Sequence, residues 1–349
     1  MKEISIGYSN QWGTDTKQLK VFFAQADIKG QGYYRSQIPA TALMKSGQFD
    51  VRCEICDLGE PALYESDIVV MQRQFDSYWP GIMAIGKAKG CKYVFEIDDD
   101  IFHLPEGLPN RERIVKQAHG MIPLMKQCDG IITATMPLAR QLAGLNKNIY
   151  VLPNFIVEPD INIPEKNGNI RIGWSGSDSH WMDFDNYIIN SLEEIKRIYG
   201  DKVQLIFMGW IPQTFIGKAS FFHYVEPRQY LTFLRTLNFD IGIIPAKTFP
   251  FNQTRSNIKY LEYSINGAAT IASSVSPYMD TITGEKGIVV KNKYKSWLDA
   301  LQKLIEDESY RKQIAVNAYK FVKENYLLQE NISKINDLFH NIMRGGNGD

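Results

Sequence analysis

The sequence predicts an α/β protein made of two doubly wound halves. Short apolar strand segments alternate with helix-like segments in both halves, the pattern of parallel sheets covered by helices. That alternation is interrupted once, at 158–169 (EPDINIPEKNGN), which is polar and rich in turn formers. At 349 residues the chain is long for a single core and suits two. The boundaries expected are an N-terminal domain over 1–155, a linker over 156–169, a second domain over 170–328 and a last helix over 329–345.

Composition narrows the class. Lys plus Arg number 39 and Asp plus Glu 39, so no overall field draws the chain to nucleic acid or an anionic membrane. The start, MKEISIGYSN, lacks the apolar core of a signal peptide, and no apolar run approaches a bilayer's thickness. A cytoplasmic protein without stable membrane insertion is expected. Cys53 and Cys56 form a CxxC, but FDVRCEICDL alternates like a strand and would send the thiols to opposite faces. No metal site is expected there.

In the first half, EISIGYS reads as a strand and KVFFAQA as a strand or the start of a helix. DIKGQGYYRSQIPATALMKSGQF reads as a flexible turn at Gly30 and Gly32 running into a helix that ends near Gly47. Arg35 on this segment would meet a phosphate or a negatively charged acceptor, or else serve as a solvated or structural arginine. VRCEICDL, DIVVMQR and KYVFEI follow as strands, with a helix over about 80–89. In such sheets the ligand crevice lies beyond the carboxyl ends of the strands. Two strand ends therefore matter, Gln72 to Gln74 and Asp98 to Asp100. For the acidic run three readings compete: a cleft base or acceptor anchor at Asp98 and Asp99, a divalent-metal site, or a helix cap. A helix then runs to about Cys128, followed by the strand GIITAT, the helix PLARQLAGL and the strand NIYVLPNFI.

The second half opens with RIGW running into the small-residue turn Ser175, Gly176 and Ser177 before a helix, a place where backbone N–H groups can meet phosphate. His180 and Asp183 follow, as cleft residues or helix caps. Strand VQLIFMGW ends at Gly209, beside the expected nucleobase, with Phe207 or Trp210 as stacking partners or core. A short strand near FFHYVE, the helix PRQYLTFLRTL and the strand DIGIIPA come next.

The most informative stretch is Asn252 to Ala272, NQTRSNIKYLEYSINGAATIA, a polar loop, a helix and a buried strand. Ser256 is expected to cap a helix reaching Asn266, with Gly267 as its left-handed stop. Ile258, Leu261 and Ile265 share the core face, and Arg255, Lys259 and Glu262 share another stripe. A helix N-terminus presents unpaired N–H groups and partial positive charge, here those of Ser256, Asn257 and Ile258, and Arg255 and Lys259 add two cations. Such a site suits a diphosphate, and Glu262 one turn deeper suits a vicinal diol such as ribose. The competing reading is a surface pair between Lys259 and Glu262 worth a few tenths of a kcal/mol.

With Pro245 before it and SSVSPY after it, this stretch resembles the donor-binding segment of GT-B glycosyltransferases, especially family 4, as do EIDDD, YYRSQIPATAL and the junction-like VLPN. The resemblance implies a GT-B fold, two Rossmann-like domains facing a central cleft, with the last helix crossing back to the first. It implies that Lys259 and Glu262 hold donor phosphates and ribose, that Gly176 and Ser177 face the diphosphate, and that Gly32 and Arg35 lie on the acceptor side. The family often carries a second Glu eight positions before Glu262, and Thr254 stands there.

The expected activity is transfer of a sugar from a nucleotide diphosphate donor, a UDP-sugar foremost, to a hydroxyl acceptor: a glycan, a lipid-linked sugar or a modified nucleobase. No cofactor or metal is expected, because Arg255 and Lys259 would stabilise the leaving group, with Asp98 and Asp99 completing the catalytic set. The alternatives are glycosylation of a modified DNA base, a nucleotide-sugar 2-epimerase and a non-catalytic sugar-nucleotide binder. The oligomeric state is open.

Overall fold

A computed structural model describes residues 18–345 apart from 56–58, 109 and 167. The expected strand EISIGYS and Cys56 lie outside the described residues. Among the described residues, runs of β-branched and aromatic residues form twelve strands in two sheets, all pairs parallel, as in strands buried on both faces. The first sheet contains β1 (Leu19–Ala24), β2 (Phe49–Glu54), β3 (Ile68–Gln72), β4 (Lys92–Ile97), β5 (Gly130–Thr133) and β6 (Ile149–Val151). Its order is β2-β1-β3-β4-β5-β6, so the strand order reverses between β1 and β3. The second contains β7 (Ile170–Ser175), β8 (Val203–Met208), β9 (Ser220–Phe222), β10 (Ile241–Ile244), β11 (Ala269–Ser273) and β12 (Ile288–Val290). Its order, β12-β11-β10-β7-β8-β9, is the doubly wound dinucleotide pattern, with its reversal between β7 and β10.

Each sheet is sandwiched between two apolar layers. On one face of the first sheet Val21, Phe23 and Val70 pack with Leu43 and with Leu328, Ile335, Phe339 and Ile342. The last three belong to the helix Ile332–Arg344, so the C-terminal helix packs on the N-terminal sheet. The chain crosses between the lobes a first time near Ile156, which bridges Leu327 at the return crossing.

KVFFAQA takes the strand of its two readings, whereas the Gly30 and Gly32 segment differs from the sequence reading: it is a helix start rather than a flexible turn. Asp27 Oδ1 accepts from the amides of Lys29 at 2.7 Å and Gly32 at 3.2 Å, capping the new helix. A Cβ on Gly32 would stand 1.8 Å from the Asp27 carbonyl oxygen, so only glycine fits. A π-helical turn over Tyr33–Gln37 then leads into the helix Ile38–Ser46. Among the described residues no helix is long and apolar enough to cross a membrane.

Candidate functional site

Residues 254–262 meet the end of β7 in the second sheet and, from the first lobe, Tyr34, Asp99, Thr135 and Asn154. The helix here runs over Ile258–Ile265, preceded by a short helix Pro250–Thr254 where a polar loop was expected. Leu261 and Ile265 are fully buried and Ile258 packs against the core, as the periodicity predicts. Ser256 does not cap this helix. The N-cap position falls to Asn257, whose side chain bonds Thr281 Oγ1 at 3.0 Å instead of a helix amide. Ser256 Oγ accepts from Asn154 Nδ2 of the first lobe at 2.9 Å.

Lys259 extends from this helix to the end of β7, where its Nζ donates to the Ser175 carbonyl and stands over the Trp174 ring, 5.4 Å from its centroid. A Cβ on Gly176 would lie 2.7 Å from that ring and 3.0 Å from Lys259 Nζ, and one on Gly209 would lie 2.4 Å from the Gly176 carbonyl. These glycines let three backbone segments converge on one ammonium group. Burial, aided by Arg255 and opposed by Glu262, lowers the Lys259 pKa to about 8. Ser177 lies just outside, its hydroxyl 2.7 Å from that of Ser179.

Glu262 is 5 % exposed, with Oε1 accepting from Tyr34 of the first lobe at 2.9 Å and Oε2 from Tyr230 at 3.0 Å. Burial raises its pKa against the pull of Lys259. The competing reading, a surface pair, is therefore not what forms: Lys259 bonds a backbone carbonyl and Glu262 bonds two phenols. Tyr230 also reaches Ser175 Oγ at 2.6 Å, tying the carboxylate to the same strand end.

Arg255 joins the two lobes. Its Nη2 lies 3.1 Å from His180 Nε2, and its Nε lies 3.9 Å from Asp99 Oδ1. Burial, with Arg255 next, drops the His180 pKa to about 4, so the imidazole is neutral at pH 7. His180 Nδ1 lies 3.1 Å from Asp183 Oδ2, so the network assigns the proton to Nδ1, donating to Asp183, and leaves Nε2 to accept from Arg255. Asp183 is anchored in turn by Asn252 at 2.9 Å and the Lys247 amide at 3.0 Å.

The acidic run after β4 divides. Asp98 and Asp99 both meet Arg73 Nη2, at 2.6 and 2.8 Å, while Asp100 bonds His103 Nδ1 at 2.8 Å within its own turn. Burial raises Asp98 beyond what Arg73 offsets, whereas at Asp99 Arg73 and Arg255 overcome burial and lower it. The positive partner that three adjacent carboxylates call for is thus Arg73, at the other strand end marked in the sequence. Its φ of 46° lies in the left-handed region, costly for a side chain of this size. The sequence marks 72–74 as a strand end that matters, without giving Arg73 itself a role. Tyr34 and Tyr230 were also missed, the first inside YYRSQ and the second inside the helix PRQYLTFLRTL.

Arg35 takes the structural one of the roles read for it. It is 2 % exposed, with Nε 2.6 Å from Glu96 Oε1 and Nη1 bonding the Leu152 carbonyl and Asn154 Oδ1, each at 2.8 Å. A guanidinium with these partners holds the first lobe to the interlobe junction and does not face an acceptor. Phe207 is buried in the core, and Trp210 is partly buried against it, edge-on to Trp174 at 5.8 Å and beside Phe184 at 5.3 Å.

No protein-family model and no curated protein matches the sequence. Solved structures match the fold. HepE of Anabaena, in complex with UDP and glucose, superposes with a TM-score of 0.64 at 13 % identity over 93 % of this chain and 99 % of its own. The sucrose-phosphate synthase of Thermosynechococcus elongatus gives 0.63 at 11 % identity, over 94 % and 100 %. TarM of S. aureus, with fondaparinux, alpha-GlcNAc-glycerol and UDP bound, gives 0.56 at 14 % identity over 79 % of this chain. The match spans 55 % of TarM, about half its length. Two parallel six-stranded sheets with flanking helices, superposable on these glycosyltransferases, give the chain the GT-B fold.

Proposed function

We propose that the protein is a glycosyltransferase, of family 4 type, that moves a hexose or pentose from a nucleotide diphosphate donor, with UDP as the leaving group, to a hydroxyl acceptor. The observation that carries this reading is the convergence of Lys259, Arg255 and the Ser175–Ser177 turn at the strand-order reversal of the second sheet. Glycosyltransferases of the same fold with UDP bound support the choice of base.

In this reading Lys259 and Arg255, with the amides of residues 256–258, stabilise the charge that grows on the departing diphosphate. Neutral His180 orients Arg255 from behind without adding a cation. Gly176 and Gly209 keep the turn free of side chains, and Glu262 accepts from the ribose hydroxyls through its carboxylate oxygens. Asp98 and Asp99, paired to Arg73, face the donor from the acceptor lobe. Thr254, in place of a second glutamate, bonds the Phe251 carbonyl at 3.0 Å and offers the sugar no carboxylate. Charge neutralisation by side chains makes the transfer independent of a divalent metal.

The test is a thermal-shift series with UDP-, GDP-, dTDP- and CDP-sugars, each with magnesium and with EDTA, because a ligand that binds only the folded state raises its stability. A UDP-sugar shift that survives EDTA is expected. Indifference to every nucleotide sugar would overturn the assignment, and a shift that requires magnesium would overturn metal independence.

A further inference from the structure

The first lobe touches residues 254–262 at four points. Tyr34 reaches Glu262, Asp99 lies against Arg255, Asn154 bonds Ser256, and Thr135 Oγ1 bonds the Thr254 carbonyl at 2.7 Å. Two of these contacts imitate a nucleotide chemically. Asp99 brings an anion to 3.9 Å from the cation placed above at a phosphate, and Tyr34 brings a hydroxyl to 2.9 Å from the carboxylate placed at the ribose.

Resting on the donor reading above, we propose that Tyr34 and Asp99 stand in for the nucleotide: in the ligand-free chain they occupy the ribose and phosphate seats, close the lobes and set the donor affinity. The nucleotide enters by displacing both.

The contacts are built to open. Arg255 keeps His180 at 3.1 Å when Asp99 leaves, and Asp99 keeps Arg73 at 2.8 Å and Gln31 Nε2 at 3.2 Å. Glu262 keeps Tyr230 at 3.0 Å when Tyr34 withdraws, and Tyr34 keeps its edge-on contact with Tyr33 at 5.2 Å. No charged group is stranded by opening, which removes the cost of several kcal/mol that breaking a buried pair usually carries. A diphosphate beside Arg255 would meanwhile repel the Asp99 carboxylate, so the two do not share the seat. Apparent affinity is then the intrinsic affinity reduced by the fraction of chain that is uncapped.

The test is calorimetric titration of UDP into the wild-type protein, Tyr34→Phe and the double variant Tyr34→Phe/Asp99→Asn, together with small-angle scattering of each without ligand. Tyr34→Phe preserves the ring and removes only the imitating hydroxyl. UDP is expected to bind the single variant about 5- to 10-fold more tightly than the wild type, and the double variant more tightly still, with a larger ligand-free radius of gyration. Unchanged or weaker UDP binding by Tyr34→Phe overturns the proposal, since a hydroxyl that helps hold the donor would produce that result. Should wild type and variants all ignore UDP, the donor reading fails and scattering decides alone: expanded variants uphold the closing role of Tyr34 and Asp99, and unexpanded ones refute it.

Discussion

Lys259 Nζ donates to the carbonyl of Ser175, a residue 84 positions earlier in the chain, and so places a cation at the end of the strand where the second sheet reverses its order. This ammonium is half-buried beside an indole and has a depressed pKa. A cation kept in so unfavourable a place for structure alone would be poor use of a helix position. Lys259→Met is expected to leave the melting temperature unchanged or higher, since it removes a desolvated charge, and to lower transfer from a UDP-sugar about 100-fold. Thermal denaturation and initial rates on the same preparation check both halves.

The pH dependence of nucleotide binding follows from the same group. Lys259 titrates at about 8 in the folded chain, below its ordinary value. Above pH 8 the ligand-free site progressively loses the proton that an anion requires, so UDP affinity falls. Titrations of UDP on either side of pH 8 should show the fall in the wild type and its absence in Lys259→Met. Folding has the opposite sign: above pH 8 and up to the ordinary lysine value the unfolded chain holds the extra proton, so stability rises with pH there. His180, at about 4 when folded, also binds its proton more readily unfolded, so stability falls as pH drops from the ordinary histidine value towards 4.

Gly176→Ala tests the turn. Its new Cβ would stand 2.7 Å from the buried Trp174 ring and 3.0 Å from Lys259 Nζ, so the ring or the turn must shift. Overpacking of this kind costs about 1–3 kcal/mol. Because the displaced groups line the proposed donor seat, UDP binding is expected to weaken by roughly 5-fold to 100-fold. Calorimetry with UDP reads this directly.

Arg35→Ala separates structure from acceptor binding. Arg35 and Glu96 are both about 1 % exposed at their side chains, and removing the arginine leaves a buried carboxylate without its cation. The expected loss is about 3–5 kcal/mol of stability, measured by denaturant unfolding. An arginine that served the acceptor would instead raise the acceptor KM and leave stability nearly intact.

The fold was readable because its signals are local. Apolar strand segments ended by Gly, Pro or polar residues marked nearly every described strand, and the spacing of Ile258, Leu261 and Ile265 identified the core face of the donor helix. The site was readable only in its charges. Lys259, Glu262, Arg255 and the acidic run stood out, but their partners are set by tertiary approach. Tyr34 meets Glu262 across 228 positions and Asp99 meets Arg255 across 156, distances at which no periodicity speaks. Arg35 misled for the same reason. Beside two glycines it resembles a ligand-facing arginine, and only the arrival of Glu96, Leu152 and Asn154 turns it inward. Ser256 shows the limit of capping rules: it has the right side chain one residue too early, and Asn154 takes its hydroxyl.

The two crossings between the lobes lie side by side. The Ile156 amide donates to the Tyr326 carbonyl at 3.0 Å, and the Leu328 amide donates to the Ile156 carbonyl at 2.9 Å. A single tether would let the halves swivel in every direction, whereas two strands of backbone pinned together permit one easy rotation, a hinge opening about the line of the pins. Opening and shutting would then return Lys259 and Asp99 to the same mutual placement on every turnover, and the C-terminal helix clamped to the first sheet keeps the second pin from pulling free.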